Sequence, residues 1–333
     1  MKKPDDFRRL SSRTMTALLL SLGSLTAAAQ ETFPDRPIRL VVGFGAGGAV
    51  DIGARALADA AGRLLGQPVL VENVTGAGGG LALADLARRP ADGYTVAVTT
   101  SSYAAITSHL QKPTFDMASL ETLLGVAEFR HVMFAKADSA LSKLSEVSTA
   151  AKSPGGLRFS HLGAGTSLHI QGYLTFKALG IEPIQIPYRG APDMIAAILG
   201  GHTDMGIADI SAVDALLRAG KLRLVSTATR ERLNEYPDVP TLLEQGVQGA
   251  DTLNPILGIV LRKGVPDDRA ARLRDAFRKA GQSPEFAAAV GGVKMQVRLM
   301  QGKEFDALTL QAARAAAPVI DAMKRAEESS ARK

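Results

Sequence analysis

The segment Ile38-Arg39-Leu40-Val41-Val42-Gly43-Phe44-Gly45-Ala46-Gly47-Gly48-Ala49-Val50-Asp51 joins a strand, a turn and the start of a helix. Ile38–Val42 is a short aliphatic, β-branched run of the kind that fills a buried strand. Residues 43–48 are glycine-rich. From residue 51 to 65, Ile52, Ala56, Leu57, Ala60 and Leu64 recur at helical spacing, and Gly66 stops the helix. Moving outward, residues 69–71 read as a second strand and Gly76-Ala77-Gly78-Gly79-Gly80 as a second glycine loop. A helix at 81–88 and a strand at 94–99 follow. Strands alternating with helices specify an α/β fold with a parallel sheet.

The unit recurs further along. Residues 157–160 are strand-like, Gly163-Ala164-Gly165-Thr166 turns the chain, and 169–179 is helical up to Gly180. Strands are expected at 184–186, 204–208, 222–227 and 257–261, with helices at 194–199, 213–218, 267–280 and from 302 onward. A strand, glycine turn and helix present backbone N–H groups at a positive dipole end, an anion site that needs no charged side chain. Two such turns facing one cleft would grip a small anion from both sides. The first turn also spells G-x-G-x-x-G at Gly43, Gly45 and Gly48. A dinucleotide site would then need Glu72, 24 residues past Gly48 and late for a ribose partner. An exported α/β enzyme using this loop is thus the competing reading.

The chain has 333 residues, enough for about two domains. It contains no cysteine, which excludes disulfides, thiolate metal sites and thiol nucleophiles. It also lacks tryptophan and clustered basic residues, which argues against a nucleic-acid surface. About half of the net charge of +6 sits in residues 1–29. There a basic segment with Arg8-Arg9, an apolar run at 15–25 and Ala27-Ala28-Ala29 read as a secretory signal peptide cleaved before Gln30, with the Arg8-Arg9 pair leaving general secretory and twin-arginine export as the two alternatives. The mature protein is expected to be periplasmic. No G-x-S-x-G, H-E-x-x-H or G-K-[ST] motif is present, and the five histidines have no metal-ligand spacing. No enzyme activity, cofactor or metal is expected.

An ordered series of short motifs carries a family resemblance. It runs from Phe33-Pro34-Asp35-Arg36-Pro37-Ile38 with Phe44, Gly47-Gly48 and Asp51, through Gly66-Gln67-Pro68-Val69, Val71-Glu72-Asn73 and Pro90-Ala91-Asp92-Gly93-Tyr94. Gly163, Gly165-Thr166 with His169, Pro187-Tyr188-Arg189-Gly190 and Pro237-Asp238-Val239-Pro240-Thr241 continue it. The set resembles the Bug-type solute receptors, the substrate-binding proteins of tripartite tricarboxylate transporters. Five residues depart from the family pattern. Gly43, Gly45 and Ala46 stand where prolines are usual, Tyr173 where an acid is usual, and Ile256 where a tryptophan is expected.

The resemblance implies a type II periplasmic-binding-protein fold, two α/β domains joined by two crossing strands around a ligand cleft. Domain I would comprise residues 30–130 plus 255–333 and domain II residues 131–254, with crossings near 125–134 and 257–261. It implies a monomeric receptor that captures a small carboxylate and delivers it to membrane subunits. A ligand-sensing partner of a signalling protein is a second alternative. The expected ligand-binding residues are Phe44, Gly45, Gly47, Gly48, Asp51, Gly78, Ser101, Ser102, Gly163, Gly165, Thr166, Ser167, His169 and Asp209. Several have structural alternatives. Asp51 complements the helix dipole or contacts ligand; Thr166 and Ser167 cap a helix or bind carboxylate; His169 is structural or lines the site. Ser101 and Ser102 follow a strand at its carboxyl end, where open α/β sheets bind ligands.

Overall fold

The computed structural model describes residues 33–331, so the signal peptide read at residues 1–29 lies outside the described residues. The first expected unit forms as strand β1 (Ile38–Val42), helix α1 (Ala49–Leu65) and strand β2 (Val69–Asn73). Leu40, Val41 and Val42 are wholly buried, and Gly66 ends α1 in the left-handed region. Helix α2 (Gly80–Arg88) leads to β3 (Thr95–Thr100). A π-helical turn, Tyr103–Thr107, and a single turn, Ser108–Leu110, follow. The long strand β4 (Leu120–Glu128) then returns along the sheet.

Two sheets result, and each belongs to its own α/β layer. The first has six strands in the order β11-β4-β10-β3-β1-β2, where β10 is Ile256–Arg262 and β11 is Gln296–Gln301. Its β1, β2 and β3 are parallel, while β10 inserts antiparallel between β3 and β4. The second sheet has five strands in the order β7-β6-β8-β5-β9. These are β5 (His131–Lys136), β6 (Arg158–His161), β7 (Ile184–Pro187), β8 (Met205–Asp209) and β9 (Leu222–Thr227). Helices α3 (Leu144–Ala151), α4 (Ser167–Leu179), α5 (Ala191–Leu199) and α6 (Asp214–Arg218) pack with it. Helices α7 (Asp267–Gly281), α8 (Pro284–Gly292) and α9 (Gly302–Ala331) complete the chain.

The chain passes between the sheets twice. The first passage is Phe129-Arg130, a two-residue joint between β4 and β5 inside the expected 125–134 crossing. The second expectation is corrected. Residues 257–261 are wholly within the first sheet, paired to both β3 and β4, because this apolar run is that sheet's centre. The return instead passes Asn254 and Pro255. The two passages are bonded to each other: Phe129 N–H donates to the Pro255 carbonyl (2.9 Å) and His131 N–H to Asn254 Oδ1 (3.0 Å).

A further apolar cluster joins the two layers beside these joints. Ile106 from the π-helical turn, Ile170 from α4, and Ala312, Ala316, Val319 and Ile320 from α9 are buried together, with Tyr173 packed against them. Tyr173, at the position where the family pattern has an acid, is thus a packing residue. Ile256 packs with Met300 and Phe305.

Candidate functional site

β1 lies between β2 and β3, and β6 lies between β7 and β8. From each, the chain goes first to one neighbour and only later supplies the other. A crevice opens at the carboxyl end of such a strand, because its flanking connections run to opposite sides. The two glycine loops leave those two strand ends. They open on one cavity of about 760 Å³, within the size range of small-molecule sites.

Phe44, Gly45, Ala46 and Gly48, with Ala49 and Val50 of α1, form one wall. Ala164, Gly165, Thr166 and Ser167 form the facing one. Gly78, Thr100, Ser102, Ile106, Thr107, Leu110 and Gln111 complete the lining, with Phe129 and Pro255 from the joints. None of these residues carries an ionisable side chain. The side chains of Thr100, Ser102, Thr107, Gln111 and Ser167 make no hydrogen bond within the described residues.

The first loop is shaped by a buried carboxylate. Asp51, 1 % exposed, accepts hydrogen bonds from Gly47 N–H (2.9 Å), Arg55 Nε (2.8 Å) and Asn73 Nδ2 (2.8 Å). Asn73, at the end of β2, also donates to the Phe44 carbonyl (2.9 Å). Burial opposes the charge of Asp51, but the bonds from Arg55, Asn73 and Gly47 outweigh it and hold the carboxyl at about 2. Close approach fixes the loop from below: a Cβ on Gly43 would lie 2.5 Å from Gly79 Cα.

The second loop is shaped by a neutral imidazole. Gly165 N–H donates to His169 Nδ1 (3.2 Å), and the His169 ring lies 4.6 Å from that of His161. Burial, then the neighbouring His161, push His169 down to about 4. Thr166 is the N-cap of α4: its Oγ1 accepts from His169 N–H (3.2 Å) and donates to the Gly163 carbonyl (2.9 Å).

Of the expected site residues, Phe44, Gly45, Gly48, Gly78, Ser102, Gly165, Thr166 and Ser167 stand on the cavity wall. Gly47, Asp51, Ser101, Gly163, His169 and Asp209 stand behind it or away from it. Ser101 Oγ accepts from Ile256 N–H (3.0 Å), tying β3 to β10. Asp209 accepts from Arg130 N–H (3.1 Å) and from Ser211 N–H (2.9 Å), pinning the joint to β8. Sequence reasoning missed Ala49, Val50, Ile106, Thr107, Leu110, Gln111, Phe129 and Pro255. Ile106 and Leu110, four residues apart after β3, were the available signal. Among the described residues, no group of three or more His, Asp or Glu is placed to hold a metal ion.

Two α/β layers whose turning loops meet at one uncharged cavity define a two-domain periplasmic solute-binding protein of the type II fold. The structure is similar to a TctC solute binding protein from Polaromonas, with a TM-score of 0.76 and 25 % identity over 88 % of this chain and 99 % of that one. It is also similar to MatC from Rhodopseudomonas palustris, solved with bound malate, with a TM-score of 0.67 and 25 % identity over 86 % of this chain and 100 % of that one. A UPF0065 protein of the gbd 5′ region of Cupriavidus necator is 36 % identical over 86 % of this chain and 87 % of its own. The model of the tripartite tricarboxylate transporter family receptor, TctC, matches residues 53–324, and the chain belongs to that family. It is an extracytoplasmic solute receptor of a tripartite transporter, and its role is binding rather than catalysis.

Proposed function

We propose that the cavity between the two glycine loops captures a small carboxylate, which the receptor presents unchanged to the membrane subunits of its transporter. One observation carries this reading: two helix N-termini, α1 and α4, open on the same cavity from opposite sides, with unbonded hydroxyls between them. N–H groups at a helix start favour anions without a formal cation. The malate held by MatC supports the same ligand class. The ligand-contacting set would be Phe44, Gly45, Gly48, Gly78, Ser102, Gly165, Thr166 and Ser167, with Asp51 and His169 shaping the loops from behind. Domain I would be residues 30–130 with 255–333 and domain II residues 131–254, closing about the Phe129–Pro255 joint, with residues 1–29 removed on export.

Thermal unfolding in the presence of small carboxylates tests this, since a ligand of the native state raises apparent stability by mass action. A carboxylate should raise the unfolding temperature and be recovered intact after prolonged incubation. Ser102→Ala should weaken its binding by about 1–2 kcal/mol, the scale of one hydrogen bond. Chemical conversion of the ligand by pure protein would refute the receptor reading.

A further inference from the structure

The two ends of the cavity offer an anion different surroundings. At the α1 end, the third helical residue is Asp51, a fixed negative charge within the first turn, and it already takes the Gly47 N–H. Arg55 offsets that charge from outside, where its side chain is half exposed. At the α4 end the first turn holds no acid. There Ser167, 9 % exposed, turns an unbonded hydroxyl to the wall, and Thr100, 7 % exposed, offers another from β3.

The remaining surface carries no charge: it is largely apolar, with Ser102, Thr107 and Gln111 as its neutral polar groups. Phe44, Val50, Ile106, Leu110, Phe129 and Pro255 line it, and no lysine, arginine or histidine is among them. Leu110 reaches the anion end itself: a Cβ on Gly165 would meet Leu110 Cδ1 at 2.6 Å. A second carboxylate laid over this surface would be desolvated without a counter-charge, which is steeply unfavourable.

We propose that the cleft selects a monocarboxylate with an apolar body, an aryl or branched-alkyl acid, over the dicarboxylate of matching length. The carboxylate seats against the first turn of α4 at Ser167, and the body lies on Ile106, Leu110 and Phe129. This rests on the carboxylate-receptor reading above and narrows it.

Isothermal titration with two matched pairs, benzoate against terephthalate and hexanoate against adipate, is the test. The monoacid of each pair should bind at least about tenfold more tightly, as expected when one charged group loses its partners. Ser167→Ala should weaken both monoacids about tenfold, the loss of one charge-assisted hydrogen bond. Leu110→Lys should narrow or reverse the preference by giving the far carboxylate a cation. Unfolding temperatures of both variants confirm that they fold. Diacids that bind the wild type as well as or better than their monoacids overturn this inference and leave the receptor reading standing. Monoacid affinity unchanged in Ser167→Ala overturns the seating. Failure of every acid in the set to bind or to raise the unfolding temperature overturns both.

Discussion

The loop before α1 and the loop before α4 each hold a glycine in the left-handed region, Gly47 at φ 78° and Gly165 at φ 74°. Each anchors that glycine's N–H to the side chain four residues on, Asp51 in one case and His169 in the other. The backbone shapes are alike, but the acceptors differ. Asp51 is a charged acceptor braced from α1 and β2, and it ties three segments together. His169 is a neutral acceptor packed beside the tilted ring of His161, and its loop relies on Thr166 for a cap. Similar anion-facing turns can therefore be built on a charge or on an uncharged base. The choice fixes both how the turn responds to acid and what potential it presents to a ligand.

The comparison breaks most severely at Asp51. Asp51→Ala removes the acceptor of Gly47, Arg55 and Asn73 together, and should destabilise the protein by about 3 kcal/mol, the upper end for leaving buried hydrogen-bond donors unpaired. Urea unfolding measures it, and a loss no larger than that of a surface substitution would show that the network does not shape the loop.

Acid sharpens the comparison. An unfolded chain protonates His169 near 6.5, the folded chain only near 4, so the unfolded state binds more protons between them. Stability should therefore fall as pH drops through that window, by about 2 kcal/mol from this residue after allowing for partial solvent screening. Asp51, held at about 2 against an ordinary 3.8, gives way only below that window. His169→Gln keeps a neutral acceptor and should flatten the difference in unfolding free energy between pH 7.5 and pH 4.5. An unchanged slope would assign the acid sensitivity elsewhere, for example to His131, which burial also pushes down.

The smallest expected effect is on ligand affinity. Gly165→Val forces a β-branched residue into the left-handed region and against Leu110, and should cost at least about 1.4 kcal/mol, or tenfold, in binding while the fold persists. Titration with whichever carboxylate the thermal screen identifies decides it, and affinity equal to that of Ser102→Ala would favour side-chain readout over backbone readout.

Most of the architecture was legible because each strand–glycine loop–helix unit carries its own punctuation. Ile38–Val42, Gly66 and Gly180 act locally, so their spacing alone places β1 and the ends of α1 and α4. What the sequence hid was set by partners distant in the chain. β11 is broken by a bulge between Val297 and Met300, so its side chains do not alternate cleanly. The π-helical turn Tyr103–Thr107 departs from the 3.6-residue period, so the four-residue spacing of Ile106 and Leu110 alone did not single them out as cavity wall. Asp51 carried two readings in the sequence, and only the positions of Asn73 and Gly47 distinguish a loop brace from a wall residue.

The strand order of the first sheet has a consequence for export. β10 sits between β3 and β4, yet it is made more than a hundred residues after either of them, and β4's other partner, β11, comes later still. A chain synthesised amino terminus first has β1, β2 and β3 available early. The facing edges of β3 and β4 stay open until Ile256–Arg262 arrives. The second sheet has no such wait, since its five strands are contiguous from β5 to β9. Synthesis in this order thus lets one layer close while β3 and β4 of the other keep unpaired edges, the species most exposed to intermolecular pairing. Chaperone capture during secretion should favour chains stalled between β9 and β10.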